Sequence, residues 1–165
     1  MDYAGPLYRA LHPYHARQPL SGEGARIHGG RFNARGREAL YLALDFDTLR
    51  HEIARGGAFQ PSVIVEYEAR LTGLFDASDA AALAVHNMTP DAMADPGWQL
   101  RMQQGGPVPT QDLAEALIAA GHVGAVVPSY ARGARAGARN IVLWEWNDGA
   151  TAQLALVDDE GRLST

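Results

Sequence analysis

The chain has 165 residues, a formal net charge of −5 and no cysteine. This length predicts one domain with its own hydrophobic core, and the lack of cysteine excludes disulfides, a thiolate nucleophile and a cysteine metal site. All 14 basic residues are arginines, which excludes a Schiff-base lysine and a P-loop lysine. The acidic balance argues against broad nucleic-acid binding. With no long apolar run and no signal-peptide pattern, the sequence predicts a cytoplasmic protein.

The charge is distributed unevenly along the chain. Residues 1–37 contain six arginines and two acidic residues, whereas residues 72–125 contain six acidic residues and one arginine. Guanidinium groups bind phosphate oxygens in bidentate pairs. The pattern therefore predicts a basic pocket for a small anion on an acidic protein, rather than a surface for a charged polymer.

The first part of the chain is expected to form two strands joined by a loop. Residues 6–11 are apolar enough for the first strand, and a polar, glycine-rich loop follows over residues 12–30. Residues 39–44 alternate in character, with leucines on one face and alanines on either side of Tyr41 on the other. These small neighbours leave room beside the Tyr41 ring.

A helix is expected next, capped by Asp45, reaching Arg55 and ending at the Gly-Gly pair at 56–57. An apolar stripe runs along this helix: Phe46, Leu49 and Ile53. Glu52 lies at the edge of the stripe, so its carboxylate can face a cleft without being buried in the core.

The rest of the chain predicts one more early strand, a helical middle and three late strands. β-branched residues mark the strand at 62–71. Residues 76–120 are expected to be helical, with breaks at the prolines 90, 96, 107 and 109, and the clearest helix covers 112–120. The late strands are expected at residues 123–128, 140–146 and 152–157, the last at an edge. This order predicts an α+β or mixed α/β fold.

Three polar residues on these elements are candidates for a functional site. Arg31 follows two glycines, where the backbone can approach a ligand closely, and Tyr41 and Glu52 follow at intervals of ten and eleven residues. Each has a plain structural alternative: a solvated arginine, a core tyrosine and a carboxylate on a helix surface. Together they suit a site that binds an anion and acts on a developing cation.

A second candidate cluster begins at Ser129 and Tyr130 and ends at Asn140, with arginines at 132, 135 and 139. Glycines and alanines separate the arginines, which predicts a mobile loop that closes over phosphates; a solvated connection is the alternative. Ser129 has no Gly-x-Ser-x-Gly context, so a nucleophilic role is not expected.

Other familiar patterns point to no further chemistry. The six histidines form no His-Glu-x-x-His pattern, so no metal site is expected. Glu66 and Glu68 imitate a Glu-x-Glu pair, but the strand that carries them is expected to expose both to solvent.

Taken in order, these motifs resemble the RES-domain family, the toxins of bacterial toxin–antitoxin pairs named for arginine, glutamate and serine. The resemblance rests on Glu52 and five segments: Leu-Tyr-Arg-Ala at 7–10, Gly-Gly-Arg-Phe-Asn at 29–33, Ala-Leu-Tyr-Leu-Ala at 39–43, Val-Pro-Ser at 127–129 and Arg-Asn-Ile-Val-Leu at 139–143. Each segment alone is weak, but the ordered set is specific and covers nearly the whole chain.

The resemblance implies a single domain over residues 1–165 with an ADP-ribosyltransferase-like core of short β-sheets and flanking helices. It implies an enzyme that takes NAD as substrate, degrades it by hydrolysis or phosphorolysis or transfers its ADP-ribose to a protein, and needs no metal. It also implies a partner, an antitoxin with an Xre-like DNA-binding part that covers the site. No glutamate can be assigned to orient the acceptor, so water, phosphate and a protein side chain all stay open as the nucleophile.

The resemblance also assigns site residues by motif position: Arg31, Glu52 and Ser129 as the family arginine, glutamate and serine, and Arg9, Tyr41 and Asn140 as further pocket residues. The arginines would bind the pyrophosphate, and Tyr41 would stack on nicotinamide. Glu52 would stabilise the ribosyl cation or activate the nucleophile. Ser129 would hold the carboxamide or a phosphate.

Two other functions stay open from the sequence. A toxin ribonuclease would use histidine and arginine as general acid and phosphate clamp, but it would need a basic RNA track. A non-catalytic module would bind NAD or ADP-ribose without turning it over.

Overall fold

The computed structural model describes residues 1–54 and 58–163. Seven strands form one sheet in the order β4-β5-β6-β2-β1-β3-β7. The strands are β1 Tyr3–Leu11, β2 Leu40–Ala43, β3 Val63–Leu71, β4 Leu74–Asp76, β5 Gly124–Pro128, β6 Arg139–Leu143 and β7 Ala152–Leu156. The helices are α1 Glu23–His28, α2 Phe46–Ile53, α3 Ala80–Val85, α4 Pro90–Ala94, α5 Trp98–Gln103 and α6 Pro109–Ala119, with a 3-10 turn at Pro13–His15. The α+β prediction is confirmed.

Neighbouring strands are antiparallel except for the pair β4 and β5. The predicted edge strand at 152–157 forms β7, which pairs with β3 and ends the sheet. None of the helices formed by the described residues is long and apolar enough to cross a membrane.

The sheet separates two hydrophobic clusters. On one face, here called the helix-covered face, Tyr41, Val142 and Ala125 lie opposite one another across β2, β6 and β5. Met93 of α4 and Leu117 of α6 pack over this row. The other face, here called the aliphatic face, carries a second cluster: Leu7, Leu42, Tyr67, Val126 and Ile141. The predicted alternation in β2 is confirmed, because its leucines point to the aliphatic face and Tyr41 points to the helices.

The prolines divide the helical middle as predicted. Pro96 and Pro107 lie between helices, and Pro90 and Pro109 begin α4 and α6, since proline at the first helical position loses no hydrogen bond. Two other local predictions are wrong. The loop predicted over 12–30 contains α1. Phe46, placed in the apolar stripe of α2, is 54% exposed.

Three further predictions concern the ends of α2 and the exposed side of β3. Asp45 caps α2 as expected and accepts a hydrogen bond from Thr48 N. The helix ends at Ile53 with Ala54 as its C-cap, before the predicted end at Arg55, and residues 55–57 lie outside the described residues. Glu66 and Glu68 are both solvent-exposed, as predicted.

Candidate functional site

The turn at residues 29–33 is held firmly by the start of α6. Thr110 Oγ1 donates to Arg31 O at 2.6 Å, and Gln111 Nε2 donates to Gly30 O at 2.8 Å. Both α6 residues are buried, so their hydrogen bonds are shielded from water. The backbone that carries Arg31 is therefore fixed before any ligand binds.

Tyr41 braces the same turn from the sheet. Its hydroxyl donates to Asn33 Oδ1 at 2.7 Å and accepts from Phe32 N at 3.0 Å. A Cβ added to Gly30 would lie 2.4 Å from the Tyr41 oxygen, so this glycine is needed for the approach of Tyr41 rather than of a ligand. Burial raises the pKa of Tyr41, which keeps the hydroxyl protonated as a donor.

Arg31 connects this turn to the helical layer. Its Nη1 donates to Met93 O at 2.8 Å and to Asp95 O at 2.9 Å, at the end of α4. Its guanidinium carbon lies 4.5 Å from the centre of the Tyr130 ring and 5.7 Å from that of Trp98. These are cation–π distances, so the guanidinium is oriented by carbonyls at one end and by aromatic rings beside it.

Burial and several neighbouring groups act on the charge of Arg31. Burial lowers the pKa of its guanidinium, whereas the nearby Tyr130, Asp95, Glu52 and Tyr41 act in the opposite direction. The group stays charged at neutral pH. Its Nε and Nη2 have no hydrogen-bond partner among the described residues, so this side of the fork can bind an anion.

Glu52, Ser129 and Asn140 form a hydrogen-bonded cluster. Ser129 Oγ and Asn140 Nδ2 both donate to Glu52 Oε1 at 2.6 Å. In the sheet, Asn140 of β6 lies opposite Ala43 and Val127. It precedes Val142, which faces Tyr41, by two residues of the same strand, so it lies on the helix-covered face. In the described part of the chain Oε2 of Glu52 has no partner, which leaves one carboxylate oxygen for a substrate.

The β5–β6 loop, residues 129–138, is tied to α2 at more than one point. Ser129 binds Glu52 near the end of the helix, and Arg135 Nη2 donates to Asp45 Oδ2 at 2.7 Å at its start. Burial alone would raise the pKa of Asp45, but hydrogen bonds from Thr48 and Arg135 lower it. Arg132 and Arg135 are nevertheless exposed, as a solvated connection predicts, and the mobility of the loop stays a prediction.

The chain is similar to known proteins in sequence and in fold. A family model described as the RES domain matches residues 6–165. The chain belongs to the RES-domain family. A chain from the crystal structure of the M. tuberculosis MbcT–MbcA toxin–antitoxin complex has a similar fold, with a TM-score of 0.67 and 20% identity, over 96% of this chain and 84% of that one. No curated protein matches.

Most of the site residues predicted for this RES domain lie together: Arg31, Tyr41, Glu52, Ser129 and Asn140. Arg9 does not join them. Its Nη1 donates to Pro19 O and Ser21 O, each at 3.1 Å, and its partner in the sheet register is Val65 of the aliphatic face. It therefore points away from Tyr41 and supports the chain that follows β1.

The arginine-rich start of the RES domain does not gather into one basic pocket. Arg26 pairs with Glu23 at 2.5 Å, and Arg37 pairs with Glu115 at 2.6 Å. Both pairs are exposed, and such pairs contribute little to stability. Their charges are neutralised locally.

Sequence reasoning missed several residues that shape the site. Thr110 and Gln111 hold the turn but lie on a helix far along the chain, so no local pattern reveals them. Trp98 and Tyr130 flank Arg31. Tyr130 belongs to the second candidate cluster of the sequence, but its position beside Arg31 was not predicted.

Proposed function

We propose that this RES domain is an NAD-consuming enzyme and the toxin of a bacterial toxin–antitoxin pair, acting in the cytoplasm. The carrying observation is the Glu52 carboxylate, held at Oε1 by Ser129 and Asn140 and without a partner at Oε2 among the described residues. The consecutive residues Ser129 and Tyr130 link it to the guanidinium of Arg31. A fixed anion and a fixed cation in one site suit a substrate with an anionic pyrophosphate and a ribose that becomes positively charged.

The reaction breaks the bond between nicotinamide nitrogen and ribose carbon. The electron pair of this bond leaves with nicotinamide, which becomes neutral, and the ribosyl group acquires oxocarbenium-like positive charge. In a partly buried site, a preorganised carboxylate stabilises such a charge without reorganising. Glu52 supplies that carboxylate, and it can also take the proton of the incoming nucleophile.

The other residues position the substrate and the carboxylate. The open side of Arg31 binds the pyrophosphate, as guanidinium forks bind phosphate oxygens. Ser129 and Asn140 orient Glu52, so Ser129 acts through the glutamate rather than on the carboxamide or a phosphate. Tyr41 keeps the Arg31 turn in place through its hydroxyl, and the stacking of its ring on nicotinamide stays a prediction.

The acceptor is water, phosphate or a protein side chain, and the enzyme accordingly degrades NAD or transfers ADP-ribose. The toxin assignment draws on family membership and on a structural relative that comes from a toxin–antitoxin complex. The partner is an antitoxin, of Xre type by the family resemblance, that covers the site.

The test is NAD turnover by the purified protein. We expect it to release nicotinamide, and added phosphate or cell lysate with labelled NAD will distinguish hydrolysis, phosphorolysis and protein labelling. Glu52→Gln keeps the side-chain shape but removes its charge, and should slow release by about 100-fold or more. Glu66→Gln makes the same change on the exposed strand face and should leave the rate unchanged.

Two outcomes would contradict the proposal. Full activity in folded Glu52→Gln would remove the glutamate from the mechanism. No nicotinamide release by folded wild-type protein under any of these conditions would reject the enzyme and favour a module that only binds NAD or ADP-ribose.

A further inference from the structure

Tyr130 links the two charged parts of the site. Ser129, the residue before it, donates to Glu52 at 2.6 Å. The Tyr130 ring lies 4.5 Å from the guanidinium carbon of Arg31. Two consecutive residues directly after β5 thus contact the carboxylate and the guanidinium that the proposed function assigns to the substrate.

The Tyr130 hydroxyl is buried and has no hydrogen-bond partner among the described residues. Burial raises the pKa of this hydroxyl, whereas the nearby Arg31 lowers it, and the net increase keeps it a neutral donor at physiological pH. Buried donors in native proteins are nearly always paired, and an unpaired one carries a cost in stability. An unpaired donor next to a cation is complementary to an anionic oxygen.

We propose that Tyr130 is a nucleotide-binding residue whose hydroxyl donates to a pyrophosphate oxygen of the substrate beside Arg31. The proposal rests on the proposed function. The aromatic ring keeps the guanidinium in place before binding, and the hydroxyl gains its missing partner from the ligand. Since the oxygen is covered in the free protein, the Tyr130 side chain must shift slightly as the ligand enters, while Ser129 keeps its bond to Glu52.

Tyr130→Phe separates the two contributions of the side chain, because phenylalanine keeps the ring and removes only the hydroxyl. We expect the free variant to be at least as stable as the wild type in thermal unfolding, since an unpaired buried donor is gone. Its affinity for ADP-ribose, measured by calorimetry, should fall by about tenfold. Opposite signs in stability and binding are not expected for a purely structural residue.

Tyr14→Phe is the matched control. It makes the same chemical change at a side chain that is 85% exposed and that is not assigned to the site. This variant should have the stability of the wild type and bind ADP-ribose as the wild type does. Inorganic pyrophosphate and nicotinamide serve as separate probes. Of these two ligands, Tyr130→Phe should bind only pyrophosphate more weakly.

The outcomes distinguish this proposal from the proposed function. Unchanged ADP-ribose and pyrophosphate affinity in Tyr130→Phe overturns the role of Tyr130 even if NAD is consumed normally. An equal loss of nicotinamide binding would indicate a general distortion and also overturns it. If the wild type neither binds ADP-ribose nor consumes NAD, the proposed function fails, and the role of Tyr130 fails with it.

Discussion

Ser129→Ala tests whether the family serine acts through the glutamate. The Ser129 hydroxyl donates to Glu52 Oε1 at 2.6 Å and accepts from Ala131 N at 3.3 Å. Alanine removes both bonds and leaves Asn140 as the remaining donor to Oε1. The Glu52 carboxylate stays in place in this variant. It is less well oriented and less stabilised, because water replaces the lost bond poorly in a partly buried site.

The expected magnitude follows from the kind of bond that is lost. A hydrogen bond to a charged group contributes about 1.5–3 kcal/mol, and each ~1.4 kcal/mol changes a rate about tenfold. If the bond is fully expressed in the transition state, Ser129→Ala lowers the rate of nicotinamide release by roughly 10- to 150-fold. Ser129→Thr, which keeps the hydroxyl, should recover part of the activity.

A double-mutant cycle gives the decisive result. If Ser129 acts only through the Glu52 charge, the double variant Glu52→Gln/Ser129→Ala should be about as slow as Glu52→Gln alone. If Ser129 instead contacts the substrate independently, the two losses in rate multiply. Multiplying losses, with both single variants folded by circular dichroism, would refute the mechanism in which Ser129 positions the glutamate.

Two further predictions concern the supports of the site. Gly30→Ala places a Cβ 2.4 Å from the Tyr41 hydroxyl and should lower the free energy of unfolding by roughly 1–3 kcal/mol in denaturant. The control is Gly24→Ala, whose added Cβ meets nothing within 4 Å. Equal stability of the two variants would contradict this packing. Arg135→Gln breaks the exposed ion pair with Asp45 and should lower NAD turnover by up to about fivefold at low salt. The effect should be smaller at high salt, where exposed charges are screened. An unchanged rate at low salt would mean that this ion pair does not position the loop.

Sequence reasoning succeeded where the information is local. The alternation of leucines with Tyr41 predicted both faces of β2, because side chains on a strand point to opposite sides. Asp45 predicted the start of α2, because its side chain caps a backbone donor three residues away. The ordered motifs predicted the family, which the match over residues 6–165 confirms.

Predictions from the sequence were wrong where long-range packing decides the role of a residue. Arg9 and Arg31 are both arginines in family motifs, but the alternation of β1 turns Arg9 to the aliphatic face, where it binds carbonyls. Gly30 was interpreted as space for a ligand and is in fact space for Tyr41. The roles of these residues depend on which chain segment packs against them, and a local sequence pattern does not contain that information.

The sequence by itself determined the fold class, the family and the residue types that can bind an anion and stabilise a cation. Only the tertiary structure decided how they combine: Ser129 and Asn140 meet Glu52 across 77 and 88 residues of chain, and Tyr130 meets Arg31. Hydrogen bonds and ring contacts act over a few ångströms in space, whatever the separation along the chain. The sheet order that places β6 between β5 and β2 therefore creates the site.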